Sequence, residues 1–199
     1  MNQLIVVPYR NRAAHLAQFL SHMAINYPCM RVCIVEQSQN KEFNRGKLLN
    51  IGYLENPGYK HYIFHDVDIL PINALYETKG SVSVLQLVRN PIQLFEYLGG
   101  VTRFGRYVFA EAGGYHNDYY HRAEDNEMRF NLKRLCINVI EKPQTFTMLE
   151  HERKGPEFDP ALWEKAKTPR TIQDQLSVCK YNLVQEKIFG NVKHITVDI

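Results

Sequence analysis

The first 66 residues switch repeatedly between two hydrophobic periods, and that switching limits the fold more than any other feature. LIVVP (4–8) is a short apolar run closed by proline and predicts a strand. RAAHLAQFLSHMAIN (12–26) spaces its apolar residues three and four apart and predicts a helix. RVCIVEQ (31–37) predicts a second strand, and FNRGKLLNIGYLEN (43–56) a second helix closed by Pro57 and Gly58. HYIFHD (61–66) predicts a third strand. Strand, helix, strand, helix, strand is the order of a mostly parallel sheet covered by helices, an α/β fold.

Beyond Asp68 the alternation loosens. SVSVLQLV (81–88) predicts a fourth strand, EYLGGVTRF (96–104) a strand or turn with a glycine pair, and residues 105–111 a helix. GGYHNDYYHRA (113–123) is glycine-led and polar, hence a loop. EDNEMRFNLKRL (124–135) predicts a helix with acids in its first turn and bases in its last, as the dipole favours. The tail, 177–189 and 192–199, predicts a small β-rich segment joined as a hairpin across Gly190-Asn191. At 199 residues the simplest organisation is one domain.

Two aspartates interrupt the third strand's apolar run in IFHDVDILP (63–71). An unpaired buried carboxylate costs several kcal/mol or gives up its charge. In open α/β sheets, ligands gather beyond the carboxyl ends of the strands, and Asp66 and Asp68 sit at such an end. Side chains two apart on an extended strand face the same way, so both acids can address one site. Two adjacent anions favour a divalent cation. The bland alternative is an exposed turn with two solvated acids, which the apolar residues Ile63, Phe64, Val67, Ile69 and Leu70 oppose.

A cation in a nucleotide-sized crevice suits a diphosphate. Basic residues should then gather at neighbouring strand ends, and Arg10 and Arg12 of PYRNR and Arg45 and Lys47 of FNRGK are so placed. Taken singly, each reads as a solvated surface residue. A net charge of +3 argues against nucleic acid as partner. No apolar run approaches the roughly 20 residues of a membrane span, and MNQLIVVPYRNR lacks the pattern of a signal peptide. Cys29, Cys33, Cys136 and Cys179 form no C-x-x-C pair and read as free thiols, so the expectation is a cytoplasmic protein.

Seven stretches in one order, IVVPYRNRAAHL, FNRGKLLNIGY, FHDVDILP, EYLGGVTRF, the AED of HRAEDNE, MLEHER and ITVDI, resemble the catalytic domain of the β-1,4-galactosyltransferases. The resemblance spans nearly all of residues 5–199. It implies a nucleotide-diphospho-sugar transferase (GT-A) fold, with residues 1–70 as the nucleotide-binding half and 71–199 carrying the acceptor and metal sites. It also implies an inverting enzyme dependent on manganese, with a UDP-sugar as donor and a glycan or glycoconjugate as acceptor. Pro8, Tyr9, Arg10 and Arg12 are similar to the family's uridine cradle, with Tyr in place of Phe. Phe43 and Arg45 are similar to its uracil pocket.

In the family's Asp-Val-Asp the second acid ligates manganese and the first lies near the donor. The resemblance therefore makes Asp68 a ligand and places Asp66 and Val67 beside the donor. It adds Met148 and His151 as ligands and Arg153 as a basic donor contact. From the residues alone Met148 reads as core, because a thioether is a poor partner for a hard ion. Tyr97, before Gly99 and Gly100, matches a donor-selecting position where an aromatic crowds out an N-acetyl group, which favours UDP-galactose. Glu124 and Asp125 are similar to the family's acceptor-binding pair, and Asp125 to its catalytic base.

One motif departs from the family. His121-Arg122-Ala123 stands where the resemblance expects Trp-Gly-Gly, so His121 is the residue left to stack on an acceptor sugar. The expected mechanism is one in-line displacement, with Asp125 a solvated acid of ordinary pKa near ~3.9 acting as a weak base. The alternatives are the same fold with UDP-glucose, UDP-N-acetylgalactosamine or UDP-xylose, and a catalytically silent sugar-nucleotide or glycan-binding module.

Overall fold

A computed structural model of the chain describes residues 2–38, 41–86, 98–120, 123–150, 161, 164–165, 168 and 171–199. In chain order the elements are β1 (Gln3–Tyr9), α1 (Ala13–Asn26), β2 (Arg31–Gln37), α2 (Arg45–Leu54), β3 (His61–His65), β4 (Ile69–Pro71) and β5 (Val82–Gln86). Then come β6 (Val101–Gly105), α3 (Arg106–Glu111), α4 (Glu124–Arg134), β7 (Val139–Glu141), β8 (Phe146–Met148), β9 (Asn182–Phe189) and β10 (Val192–Asp198).

Eight strands form one sheet in the order β7-β5-β6-β3-β1-β2-β10-β9. The strands β3, β1, β2 and β10 run parallel, while β6 and β9 are antiparallel to their inner neighbours. The sheet is therefore mixed, with its parallel part in the middle. The C-terminal hairpin is not an appendage: β10 pairs with β2, and β9 extends the sheet beyond it. Its strand begins at Asn182, not near 177, because the Asp174 carboxylate accepts the backbone N–H groups of Leu176 and Ser177 and holds a turn there.

The central strands read as continuous apolar runs because both of their faces are covered. Leu4 and Val6 of β1, Cys33 and Val35 of β2, and Tyr62 and Phe64 of β3 pack on one face with Leu48, Leu49 and Ile51 of α2. Phe109 of α3 and Met128 and Leu132 of α4 join that layer. Ile5, Val7, Val32, Ile34 and Ile63 alternate to the other face, under Phe19 and Met23 of α1. Burying a side chain of this size contributes about 1.5–3 kcal/mol.

The chain runs from β1 outward to β2 through α1, then back across β1 to β3 through α2. Right-handed crossovers in opposite directions put the two helices on opposite faces. The connections diverge at the carboxyl ends of β1 and β3, the place where such sheets bind ligands. Among the described residues, no helix is long and apolar enough to cross a membrane.

Candidate active site

β1 ends in buried Pro8 and Tyr9, and the chain then turns sharply at Asn11, whose φ is 52°. The Arg10 guanidinium lies 5.4 Å from the centroid of the Phe43 ring, so the two motifs expected around the nucleotide do meet. Arg10 Nη1 is buried and has no hydrogen-bond partner among the described residues. A buried unsatisfied donor costs about 1–3 kcal/mol, so it marks a place for a ligand oxygen. Arg12 Nη1 donates to Asp68 Oδ2 at 2.7 Å.

α2 begins at Arg45 because the Asn44 side chain caps it, accepting the Lys47 N–H at 2.9 Å. The first helical residue therefore points its side chain into the crevice. Arg45 Nε donates to Asp66 Oδ1 at 2.7 Å, and Nη1 donates to Asp125 Oδ1 at 3.2 Å and lies 3.5 Å from Glu124 Oε1. Gly46 allows this approach: a Cβ there would sit 3.1 Å from Tyr115 Cβ and 3.3 Å from Glu124 Cβ. Among the described residues, the Lys47 side chain makes no such bridge; its backbone N–H serves the cap.

The antiparallel register of β3 with β6 brings Gly100 alongside Asp66, whose N–H donates to the Gly100 carbonyl at 2.9 Å. Gly99 has φ 73°, a left-handed conformation that side chains strain to adopt. Gln86 accepts the Gly100 N–H at 3.2 Å through its side-chain oxygen. The glycine pair thus forms the wall beside the first aspartate.

A two-stranded ladder completes the metal-facing side. Ile69 of β4 pairs with Met148 of β8, and the Leu149 N–H donates to the Asp68 carbonyl at 2.7 Å. Met148 is 41% exposed, so the core role read from its residue type is wrong. No sequence pattern marks β4 or β8, each three residues long. Among the described residues, no three His, Cys, Asp or Glu side chains converge tightly enough to hold an ion. Asp68, in the turn just ahead of β4, does lie beside the β4–β8 ladder that carries Met148, and Arg12 pairs with the acid where a divalent cation would bind. That arrangement fits an ion. Tyr97, His121, His151 and Arg153 lie outside the described residues, and so do the roles expected of them.

The acid pair departs most from expectation. Asp125 is not solvated: its side chain is 16% exposed, and Glu124 is buried. Burial pushes the Asp125 carboxyl up to about 7, with Arg45 opposing the rise and Glu124 and Asp66 adding to it. Asp66 is also raised, by burial first, against the pull of Arg45. Burial works against the charge on Arg45, but Asp125, Asp66 and Glu124 outweigh it and raise its pKa. Tyr115, which no motif singled out, packs beside these groups and is fully buried. The only sequence signal for it was its place after Gly113-Gly114 in a loop ahead of the acids.

That loop is pinned by buried amides. Asn50 of α2 donates to the Tyr115 carbonyl at 2.7 Å and to Asn117 Oδ1 at 3.0 Å, and Asn117 in turn donates to the Gln175 carbonyl at 2.6 Å. Residues 115–117 are therefore fixed relative to α2.

A mixed eight-stranded sheet with acids beyond β3 is the architecture of the GT-A nucleotide-diphospho-sugar transferases. The catalytic domain of Drosophila beta1,4galactosyltransferase 7, solved with xylobiose, superposes with TM-score 0.80 at 22% identity, covering 99% of this chain and 93% of that one. A variant of the same protein, solved with manganese, UDP-Gal and xylobiose, gives TM-score 0.79 at 21% identity over 99% of this chain and 93% of that one.

Residues 1–78 match the family described as the N-terminal region of glycosyl transferase group 7. Beta-1,4-galactosyltransferase 4 of Homo sapiens is 33% identical over 219 residues, which cover 98% of this chain and 62% of that protein. Beta-1,4-galactosyltransferase 1 of Homo sapiens is 26% identical over 98% of this chain and 54% of its own length. Over nearly its whole length the chain is similar to the β-1,4-galactosyltransferases. It spans less than two thirds of the length of either human relative.

Proposed function

We propose that the chain is a metal-dependent hexosyltransferase that moves galactose from UDP-galactose to a sugar hydroxyl of a glycan acceptor, inverting the anomeric centre. The observation that carries this reading is the position of Asp125. A buried carboxyl with pKa near 7 stands at a helix start, joined through Arg45 to the acid beside the crevice. A base of that strength suits proton abstraction at neutral pH. Similarity to the β-1,4-galactosyltransferases over 98% of the chain supports the reaction class, and the relative solved with manganese, UDP-Gal and xylobiose supports the classes of metal, donor and acceptor.

Arg10 offers its unpartnered Nη1 to an oxygen of the nucleotide, with Phe43 beneath the guanidinium. A manganese ion held by Asp68, Met148 and His151 would balance the charge of the departing diphosphate. Arg12, freed from Asp68, becomes available to phosphate oxygens. Glu124 orients the acceptor, and Asp125 takes the proton from its hydroxyl as that oxygen attacks C1. The displaced UDP leaves on the opposite side, so an α donor yields a β product. All four cysteines are free, which suits a reducing compartment, and a cytoplasmic location belongs to the same proposal.

Replacing Asp125 with Asn tests the reading. Transfer should fall by about 10²–10⁴-fold while calorimetry still detects binding of UDP with manganese. Turnover within a few-fold of wild type would remove Asp125 from the role of base. Donor choice is read by coupled UDP release with UDP-galactose, UDP-glucose, UDP-N-acetylgalactosamine and UDP-xylose.

A further inference from the structure

We propose that Arg45 is a positioning residue of the transfer reaction, the guanidinium that ties the donor-side acid beyond β3 to the acceptor-side acids at the start of α4. The inference rests on the transferase reading above. It goes beyond the family resemblance, which gives Arg45 only a place in the uracil pocket.

The geometry separates the two roles. Arg45 Nε takes Asp66 at 2.7 Å, while Nη1 is shared between Asp125 at 3.2 Å and Glu124 at 3.5 Å. One planar group therefore holds acids from two different elements, and its fixed fork sets how far apart they stand. The side chain is only 15% exposed, so water does little to screen these interactions. Among the described residues, three carboxylates face this one cation. Without Arg45 they would repel one another, and the start of α4 would lose its link to the end of β3.

Among the described residues, the groups facing Asp125 are Arg45 from α2, Asp66 from the end of β3, Tyr115 from the loop before α4, and Glu124 on α4 itself. Arg45 is the single cation among them. It keeps the base ionisable near neutrality in a pocket that otherwise favours its protonated form.

Arg45→Lys and Arg45→Gln test the assignment by two readouts. Carbon-13 NMR of the Asp125 carboxyl gives its titration midpoint, and steady-state kinetics with UDP calorimetry separate kcat from donor binding. The midpoint should rise in the order wild type, Arg45→Lys, Arg45→Gln, by about one pH unit or more in the last. Lysine is a point charge that cannot span both acids, so kcat in Arg45→Lys should drop by about 10–100-fold, with UDP affinity within about threefold.

Weakened UDP binding with kcat and midpoint intact would overturn the proposal and return Arg45 to the nucleotide pocket alone. Should Arg45→Gln fail to fold, Arg45→Lys still decides through the split between kcat and UDP binding. A wild-type chain that binds UDP yet transfers nothing ends the transferase reading. It is told apart from failure of the Arg45 proposal, which leaves transfer intact in Arg45→Lys.

Discussion

The backbone N–H of Leu149 donates to the carbonyl oxygen of Asp68 at 2.7 Å, locking the β8 strand to the turn that carries the second aspartate. Residues 81 positions apart are thereby held at neighbouring places. Met148, one residue earlier, pairs with Ile69 and keeps its side chain substantially in solvent. A thioether so placed adds little to the core.

Met148→Ala should therefore leave the melting temperature nearly unchanged. It should weaken manganese binding in the presence of UDP by about 10–100-fold, the range seen when a metal site loses a supporting group. Electron paramagnetic resonance of free manganese during titration measures the affinity, and thermal melting measures the fold. An unchanged affinity would take Met148 out of the ligand set.

The buried Asp125 fixes the sign of the pH dependence. Its carboxyl titrates near 7 and must be ionised to accept a proton, so kcat/KM should climb as pH rises through about 7 and level off above it. Below that midpoint the slope should approach tenfold per pH unit. An acid limb near pH 4 would mean that the carboxyl is solvated in solution.

Stability should move the other way. In the unfolded chain Asp125 ionises near pH ~3.9, whereas in the fold it holds its proton up to about 7. Between these values the folded state binds more protons, so Asp125 subtracts from stability as pH rises. Asp125→Asn removes that contribution. Its melting temperature relative to wild type should be higher at pH 8 than at pH 4, a gain in stability from losing a base. Equal differences at the two pH values would contradict the burial argument.

The sequence made the central strands legible because both faces of each are covered, which leaves runs such as LIVVP and the YIF of β3 apolar. The three-residue strands β4, β7 and β8 were invisible, being too short to express a period of two. Hence the place of Met148 beside Asp68 could come only from the resemblance. The pairing of Arg45 with Asp66 and Asp125 joins residues 21 and 80 apart, beyond any local spacing rule. Asp125 was misjudged as solvated because first-turn acids are usually exposed. Here Gly46 lets α2 close over the helix start, and Tyr115 packs beside it, neither of which composition reveals.

Gly99 and Gly100 separate a folding requirement from a site requirement. A side chain at Gly99 would have to adopt φ 73° and would run into the Gln86 carbonyl, which is backbone and cannot step aside. Gly99→Ala should cost about 1–3 kcal/mol of stability, measured by urea unfolding. At Gly100 a Cβ would crowd the Ile69 side chain and lie 2.8 Å from Gln86 Oε1 and 3.0 Å from Asp66 Oδ2, all of them ends of side chains. Those atoms can retreat, and the one whose retreat matters is the Asp66 carboxylate that Arg45 holds. Gly100→Ala should therefore keep most of the stability while lowering donor affinity by about tenfold, because a displacement near 1 Å at a binding group is felt that strongly. Calorimetry with UDP-galactose separates the two variants; equal losses of stability in both would show that the pair serves the sheet alone.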